Sequence, residues 1–178
     1  MRAGLNGRDM KRRDLLLAAP AVFVTGPSSA ARSKFKTYNG PKITQITSRK
    51  SERRMYLLNN RDVVKKYRVA LGFNPIGHKQ VRGDGRTPEG VYLIDRRNEN
   101  SLYHLSLGLS YPNKADWEYA RSIGQHPGGD IFIHGEPNTA RERAARPDWT
   151  AGCIAVSDRQ MERIFSMVEI GTVVLIEP

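Results

Sequence analysis

Short strand-like runs outnumber helical ones in this chain, and turn-forming residues cut them apart. That pattern constrains the fold more than any other feature. Ile43 and Ile46 with nearby threonines predict a first strand, and Met55–Leu58 a second. Asn59-Asn60-Arg61-Asp62 is turn chemistry, and Val63–Leu71 predicts a third strand, so an antiparallel meander opens the domain. Residues 72–90 are rich in Gly, Pro and charge and read as a loop. Its end, Thr87-Pro88-Glu89-Gly90, turns into a strand over Val91–Asp95. Leu102–Tyr111 alternates well enough for a further strand, which Pro112 ends. Asp130–His134 reads as a buried strand, and Val173–Ile176 as the last one.

Helical signals are few. Asn113 is placed to cap a helix through Ala115, Trp117, Tyr119, Ala120 and Ile123, stopped at Gly124. Thr139–Ala145 is charged and alanine-rich and predicts one or two helical turns. Ser157 resembles an N-cap before a helix whose apolar residues are Met161, Ile164, Phe165 and Val168, closed by Gly171. No alternation of strand and helix and no internal repeat is visible. The expected fold class is therefore mainly β with short helices (α+β), arranged as a sandwich or open barrel.

The chain holds a single cysteine, Cys153, within Thr150-Ala151-Gly152-Cys153-Ile154-Ala155. No internal disulfide is possible, so the thiol is either a packing residue or a reactive group. Glycine beside it lets backbone N–H groups approach a ligand. His134 lies 19 positions upstream, where the Asp130–His134 strand ends. A lone cysteine with a distant histidine is a candidate nucleophile and base. A thiol attacks carbonyls as its thiolate and needs a base, and the developing oxyanion needs donors. The N–H groups of Gly152 and Cys153 are the candidates, with Ala151 beside them.

At this point a resemblance becomes specific. His134-Gly135, then Asp148-Trp149-Thr150-Ala151-Gly152-Cys153-Ile154-Ala155, then Val168-Glu169-Ile170-Gly171-Thr172-Val173 resemble the L,D-transpeptidase catalytic domain (YkuD-like). The likeness runs from about Lys42 to Pro178 and favours a reactive Cys153 over a core thiol. It implies Cys153 as nucleophile, His134 as proton donor and acceptor, the Gly135 carbonyl as orienter of the imidazole, and Gly152 as an oxyanion donor. It further implies that His126, Trp149, Thr150 and Ala151 face substrate. Thr150-Ala151 stands where many relatives carry Ser-His, and Ala155 where they carry arginine. Arg82, Arg141, Arg143 or Arg146 could supply a replacement cation. The implied reaction is acyl transfer on peptidoglycan stem peptides through a thioester, forming 3–3 cross-links. Hydrolysis by the same residues and a non-enzymatic wall-binding role are the alternatives. No cofactor is implied. His78, His104, His126 and His134 match no common zinc spacing, so no metal is expected.

Composition bears on location. Residues 1–31 run from a basic start (Arg2, Arg8, Lys11, Arg12, Arg13) through an apolar stretch, Leu15–Val24, to Ser28-Ser29-Ala30-Ala31. That is the order of a cleavable export signal, and Arg12-Arg13-Asp14-Leu15-Leu16 resembles a twin-arginine address. The pattern is already complete from Met10. The apolar stretch is shorter than the roughly 20 residues that span a bilayer. Residues 32–41 read as a linker, leaving 42–178 as one catalytic domain. The loss of five basic and two acidic residues with the signal lowers the net charge from +11 to +8. A basic surface favours polyanions. Anionic wall polymers are the expected partners, not nucleic acid, for which no motif is present. The expected location is periplasmic or wall-associated.

Overall fold

The computed structural model describes residues 33–137 and 147–178. The predicted export signal and the predicted helical turns at 139–145 lie outside the described residues. Residues 33–41 carry no regular element, although Tyr38 packs against the core.

The chain forms β1 (Gln45–Arg49), β2 (Arg54–Asn59), β3 (Asp62–Arg68), β4 (Gly90–Asn98), β5 (Ser106–Leu109), α1 (Lys114–Ser122), β6 (Phe132–His134), β7 (Ile154–Ala155), α2 (Asp158–Met167) and β8 (Val173–Glu177). The strands make one sheet in the order β3-β2-β1-β8-β4-β5-β6-β7. The predicted meander β1-β2-β3 is antiparallel throughout, with Asn60 at positive φ in its second turn. Two pairings are parallel, β1 with β8 and β6 with β7. β4 belongs to both halves of the sheet. Its first residues pair with β8 and its last with β5, and the register shifts between Ile94 and Arg96. Such an irregularity bends a strand and sharpens its twist.

The two outer strands, β3 and β7, are brought together by the segment that follows β3. Ala70 and Ala155 exchange both backbone hydrogen bonds, at 2.9 and 2.8 Å. Two steps on, Phe73 N–H donates to Thr150 O at 2.8 Å and Thr150 N–H to Leu71 O at 3.1 Å. The sheet therefore curls until its edges touch, as an open barrel would. Its interior is filled by Ile46, Met55, Leu57, Leu107, Ile133, Ile154 and Val174, none with any exposed surface. Burial of each such side chain stabilises by about 1.5–3 kcal/mol.

Helix α2 seats Met161, Ile164, Phe165 and Val168 in that core, as their spacing predicts, and it contacts β5 and β6. Its N-terminus is a reciprocal capping box between Ser157 and Gln160. Helix α1 is also capped as predicted, by Asn113 with Asp116. Its packing face differs from the expected apolar one. Ala115, Tyr119 and Ile123 are exposed, and the helix docks through buried Asp116 and Ala120. Asp116 holds His78 at 3.0 Å and accepts from the Tyr92 hydroxyl at 3.2 Å. Burial, reinforced by the Asp116 charge, pushes the Tyr92 phenol far above its ordinary value. A polar clamp thus replaces an apolar stripe.

The predicted strand over Leu102–Tyr111 begins four residues late. Residues 102–105 form a turn with His104 at φ 69°. His104 is therefore not an alternating strand residue. Its Nε2 lies 3.3 Å from Glu162 Oε1, without hydrogen-bond alignment. Among the described residues, no helix is long and apolar enough to cross a membrane.

The α2 cap gives a direct stability test. Replacing Ser157 by Ala should cost about 1 kcal/mol, read as a fall of about 2–4 °C in thermal midpoint. Replacement by Thr should restore most of it.

Candidate active site

Strand β6 is held on both sides. Ile133 pairs with Leu107 of β5 and with Ile154 of β7, and all three side chains are fully buried. This places His134 at the strand end with only 3% of its surface exposed. Tyr103 stacks on its ring at 4.5 Å between centroids, and Trp149 meets it edge-on at 5.6 Å. His134 Nδ1 lies 2.8 Å from the Gly135 carbonyl oxygen. A carbonyl can only accept, so Nδ1 carries the proton and Nε2 keeps the lone pair. Burial lowers the imidazole pKa and outweighs the Gly135 contact, which raises it. The ring is neutral near pH 7.

Gly135 has no room for a side chain. A Cβ there would stand 2.4 Å from Asp158 Oδ1 and 2.8 Å from Tyr103 O. Gly135 N–H donates to Tyr103 O at 3.0 Å, and Asp158 Oδ1 accepts from Glu136 N–H at 2.8 Å. The 102–105 turn packs closely against this residue.

The cysteine sits at the end of a tightly bonded turn. Asp148 anchors the approach: its Oδ1 accepts from Leu71 N–H at 3.0 Å, and its Oδ2 takes the Arg53 guanidinium at 2.8 Å. Thr150 Oγ1 then donates to Cys153 O at 2.7 Å and accepts from Gly152 N–H at 3.1 Å. Gly152 has φ 138°, and a Cβ on it would meet Arg86 O at 2.7 Å. Cys153 follows, half-buried, immediately before β7. Ala155 pairs with His134, so Cys153 lies two residues back from the histidine's partner. Cys153 Sγ accepts from Phe132 N–H at 3.4 Å, and Asp130 O is 3.5 Å from it. Burial raises the thiol pKa above its ordinary value. The Phe132 N–H opposes this, Asp130 adds to it, and Lys79 opposes it. The two groups therefore rest as a thiol and a neutral imidazole.

The sulfur opens onto a cleft of about 430 Å³ whose walls include Lys79, Arg82, Gly128, Asp130, Ile131 and Ala151. Ala151 is thus a wall residue. His126 stands outside the lining. Its Nδ1 accepts from Gly128 N–H at 2.9 Å, and its ring packs against Trp117. It shapes the wall without forming it. Trp149 covers His134 and lines a second groove of about 510 Å³. Thr150 is 3% exposed, and its hydroxyl is engaged within the turn. Gly152 N–H is likewise already donated to Thr150. Arg82 reaches the cleft, whereas Arg141, Arg143 and Arg146 lie outside the described residues. Sequence reasoning missed Tyr103, hidden in a run read as strand, and Lys79, one of many loop cations.

These elements occur together in a known family. The L,D-transpeptidase catalytic domain model (YkuD) matches residues 43–176, and the chain belongs to that family. YafK of Escherichia coli K12 is 27% identical over 114 residues, covering 63% of this chain and 39% of that protein. The chain thus spans well under half the length of this curated relative. Among solved structures, the helical cell shape determining protein Pgp2 of Campylobacter jejuni superposes with a TM-score of 0.58 at 24% identity, over 83% of this chain and 52% of that one. Bd1075 of Bdellovibrio bacteriovorus gives 0.53 at 22%, over 76% and 48%. At such identities the likeness is one of fold.

Two outcomes follow. Thr150→Val removes the hydroxyl and orphans Cys153 O and Gly152 N–H, which should cost about 1–3 kcal/mol. Thr150→Ser should retain most of that stability in thermal melts. In unliganded protein, iodoacetamide alkylation of Cys153 should still be rising beyond pH 8.5, the usual thiol pKa being about 8.5. A rate plateau below pH 7 would contradict the raised thiol pKa.

Proposed function

We propose that the protein is a cysteine acyltransferase acting on peptidoglycan stem peptides. The observation that carries this reading is the pairing of β6 with β7. It brings the strand that begins just after Cys153 alongside His134, whose Nδ1 is tied to a carbonyl so that Nε2 keeps its lone pair. Family membership supplies the substrate class.

In this reading His134 Nε2 accepts the Cys153 proton as the sulfur attacks the carbonyl of the L-centre of a stem diamino acid. With Gly152 N–H engaged by Thr150, the Cys153 N–H is the better donor to the oxyanion. The carbon–nitrogen bond breaks, the imidazolium gives its proton to the departing D-alanine amine, and a thioester remains. An amine of a neighbouring stem attacks the thioester and loses its proton to His134. The carbon–sulfur bond breaks, and the thiolate recovers the proton from the imidazolium. The product is a 3–3 cross-link. Deprotonation occurs within the substrate complex, because both groups are neutral at rest. We further infer that residues 1–31 direct export, since the substrate lies outside the cytoplasm.

Purified protein incubated with tetrapeptide-bearing muropeptides should yield cross-linked dimers by mass spectrometry. Cys153→Ala and His134→Gln should each lower the rate by about 10³ or more, with the double variant no worse than either, as for groups that act as a unit. Shortened monomers without dimers would replace the amine by water and make the protein a hydrolase. Unchanged product formation in Cys153→Ala would overturn the reading.

A further inference from the structure

The cleft beside Cys153 contains a buried cation that the reaction above does not use. Lys79 lines the cleft and is 3% exposed. A lysine so deeply placed needs a partner to stay charged, and it has one. Its Nζ lies 2.8 Å from Asp84 Oδ1 and donates to Val81 O at 3.1 Å. An ammonium has three protons, so one remains beyond these two contacts.

Asp84 is itself fixed. It accepts from the N–H groups of Gln80 at 2.8 Å, Val81 at 3.1 Å and Arg86 at 3.1 Å. Although burial raises its pKa, the Lys79 contact and these N–H donors prevail and hold the carboxyl ionised. The loop is also tied to the opposite wall, where Arg82 N–H donates to His126 O at 2.8 Å. On that wall a Cβ on Gly128 would stand 3.5 Å from Lys79 Cε and 3.3 Å from Arg82 Cα. The absence of a side chain at Gly128 leaves room beside the Lys79 stem. The other acid of the cleft, Asp130, is ion-paired outward with Arg96 at 3.1 Å. Arg82 has no acidic partner among the described residues. The cleft thus presents two cations, Lys79 and Arg82, and one acid, Asp130, and its rigidly held lysine shares the walls with the nucleophile.

We propose that Lys79 is the anchor for the free C-terminal carboxylate of the acyl donor, and that it selects stems whose leaving residue ends in an acid. This role for Lys79 rests on the reading of Cys153 as acyl acceptor. A leaving residue places its carboxylate one residue past the attacked carbonyl, about 3.8 Å farther along the chain. That distance keeps the carboxylate within the cleft that holds both Sγ and Lys79. Arginine would bind a carboxylate through two donors, whereas lysine acts as a point charge and tolerates varied angles. Arg82, exposed at the rim, steers the substrate without fixing it.

The test separates binding from chemistry. In Cys153→Ala protein, an N-acetylated stem tetrapeptide with a free C-terminal acid should bind about tenfold to a hundredfold more tightly than the same peptide as a C-terminal amide, by calorimetry. Adding Lys79→Met should remove that preference and leave affinity for the amide unchanged. Adding Asp84→Asn, which keeps the ammonium but loosens it, should reduce the preference in part. Arg82→Gln should slow association and preserve the preference. Equal binding of acid and amide by protein with Lys79 intact, including no binding of either, would overturn the proposal whether or not Lys79→Met folds. So would a Lys79→Met variant that weakens both peptides alike, or one that shifts only the pH dependence of Cys153 alkylation. The acyl transfer itself is read on muropeptides with the unsubstituted protein, so either claim can fail without the other.

Discussion

Two residue pairs of parallel sheet, Ile133 with Ile154 and His134 with Ala155, hold the candidate site together. A ladder this short is weak alone. It is secured because Ala155 also exchanges hydrogen bonds with Ala70 on its other side, and because Ile133 and Ile154 are fully buried. The barrel's closure and the site's assembly are therefore one event. The turn before Cys153 depends on the same seam, since Thr150 bonds Leu71 and Phe73 through its backbone and Cys153 through its hydroxyl. The glycine that ends the turn, Gly152, stops the ladder from running farther. The Cys153 sulfur then accepts the N–H of Phe132, one step before β7 begins.

Electrostatics in the site follow from its depth. Removing a thiol and an imidazole from water disfavours the charged form of each, so the thiol moves up and the imidazole down. A preformed ion pair would require the opposite shifts. For the histidine, the unfolded chain takes up a proton first as pH falls below about 6.5. Its burial therefore subtracts stability between that value and its lower folded one. The Gly135 carbonyl offsets part of this cost and fixes which nitrogen bears hydrogen.

Much of the architecture was legible in the residues. Period-two runs and Asn-rich turn chemistry located the meander, and Ser157 with Met161, Ile164, Phe165 and Val168 located α2 with its cap. Gly135 and Cys153 stood out through resemblance more than through pattern. What failed to show was non-local. β7 has two residues, too few for any periodicity, and exists because β6 and Ala70 flank it. β5 starts late, after a turn whose Tyr103 carbonyl accepts the N–H of Gly135 from far downstream. The docking of α1 through Asp116 needed a histidine and a tyrosine from two other segments. Lys79 looked like any loop cation until Asp84 and Gly128 were seen around it.

The place of β8 has a kinetic consequence. It lies between β1 and β4, and it is the last strand of the chain. Until it arrives, the β1–β3 meander and the β4–β7 half share no strand ladder through the middle of the sheet. A nascent chain therefore cannot complete its barrel until β8 has followed all the other described strands. Long-range pairings of this kind slow folding, and open strand edges invite association with other chains in the meantime. Losing Val173–Glu177 would split the sheet along its centre rather than trim its rim.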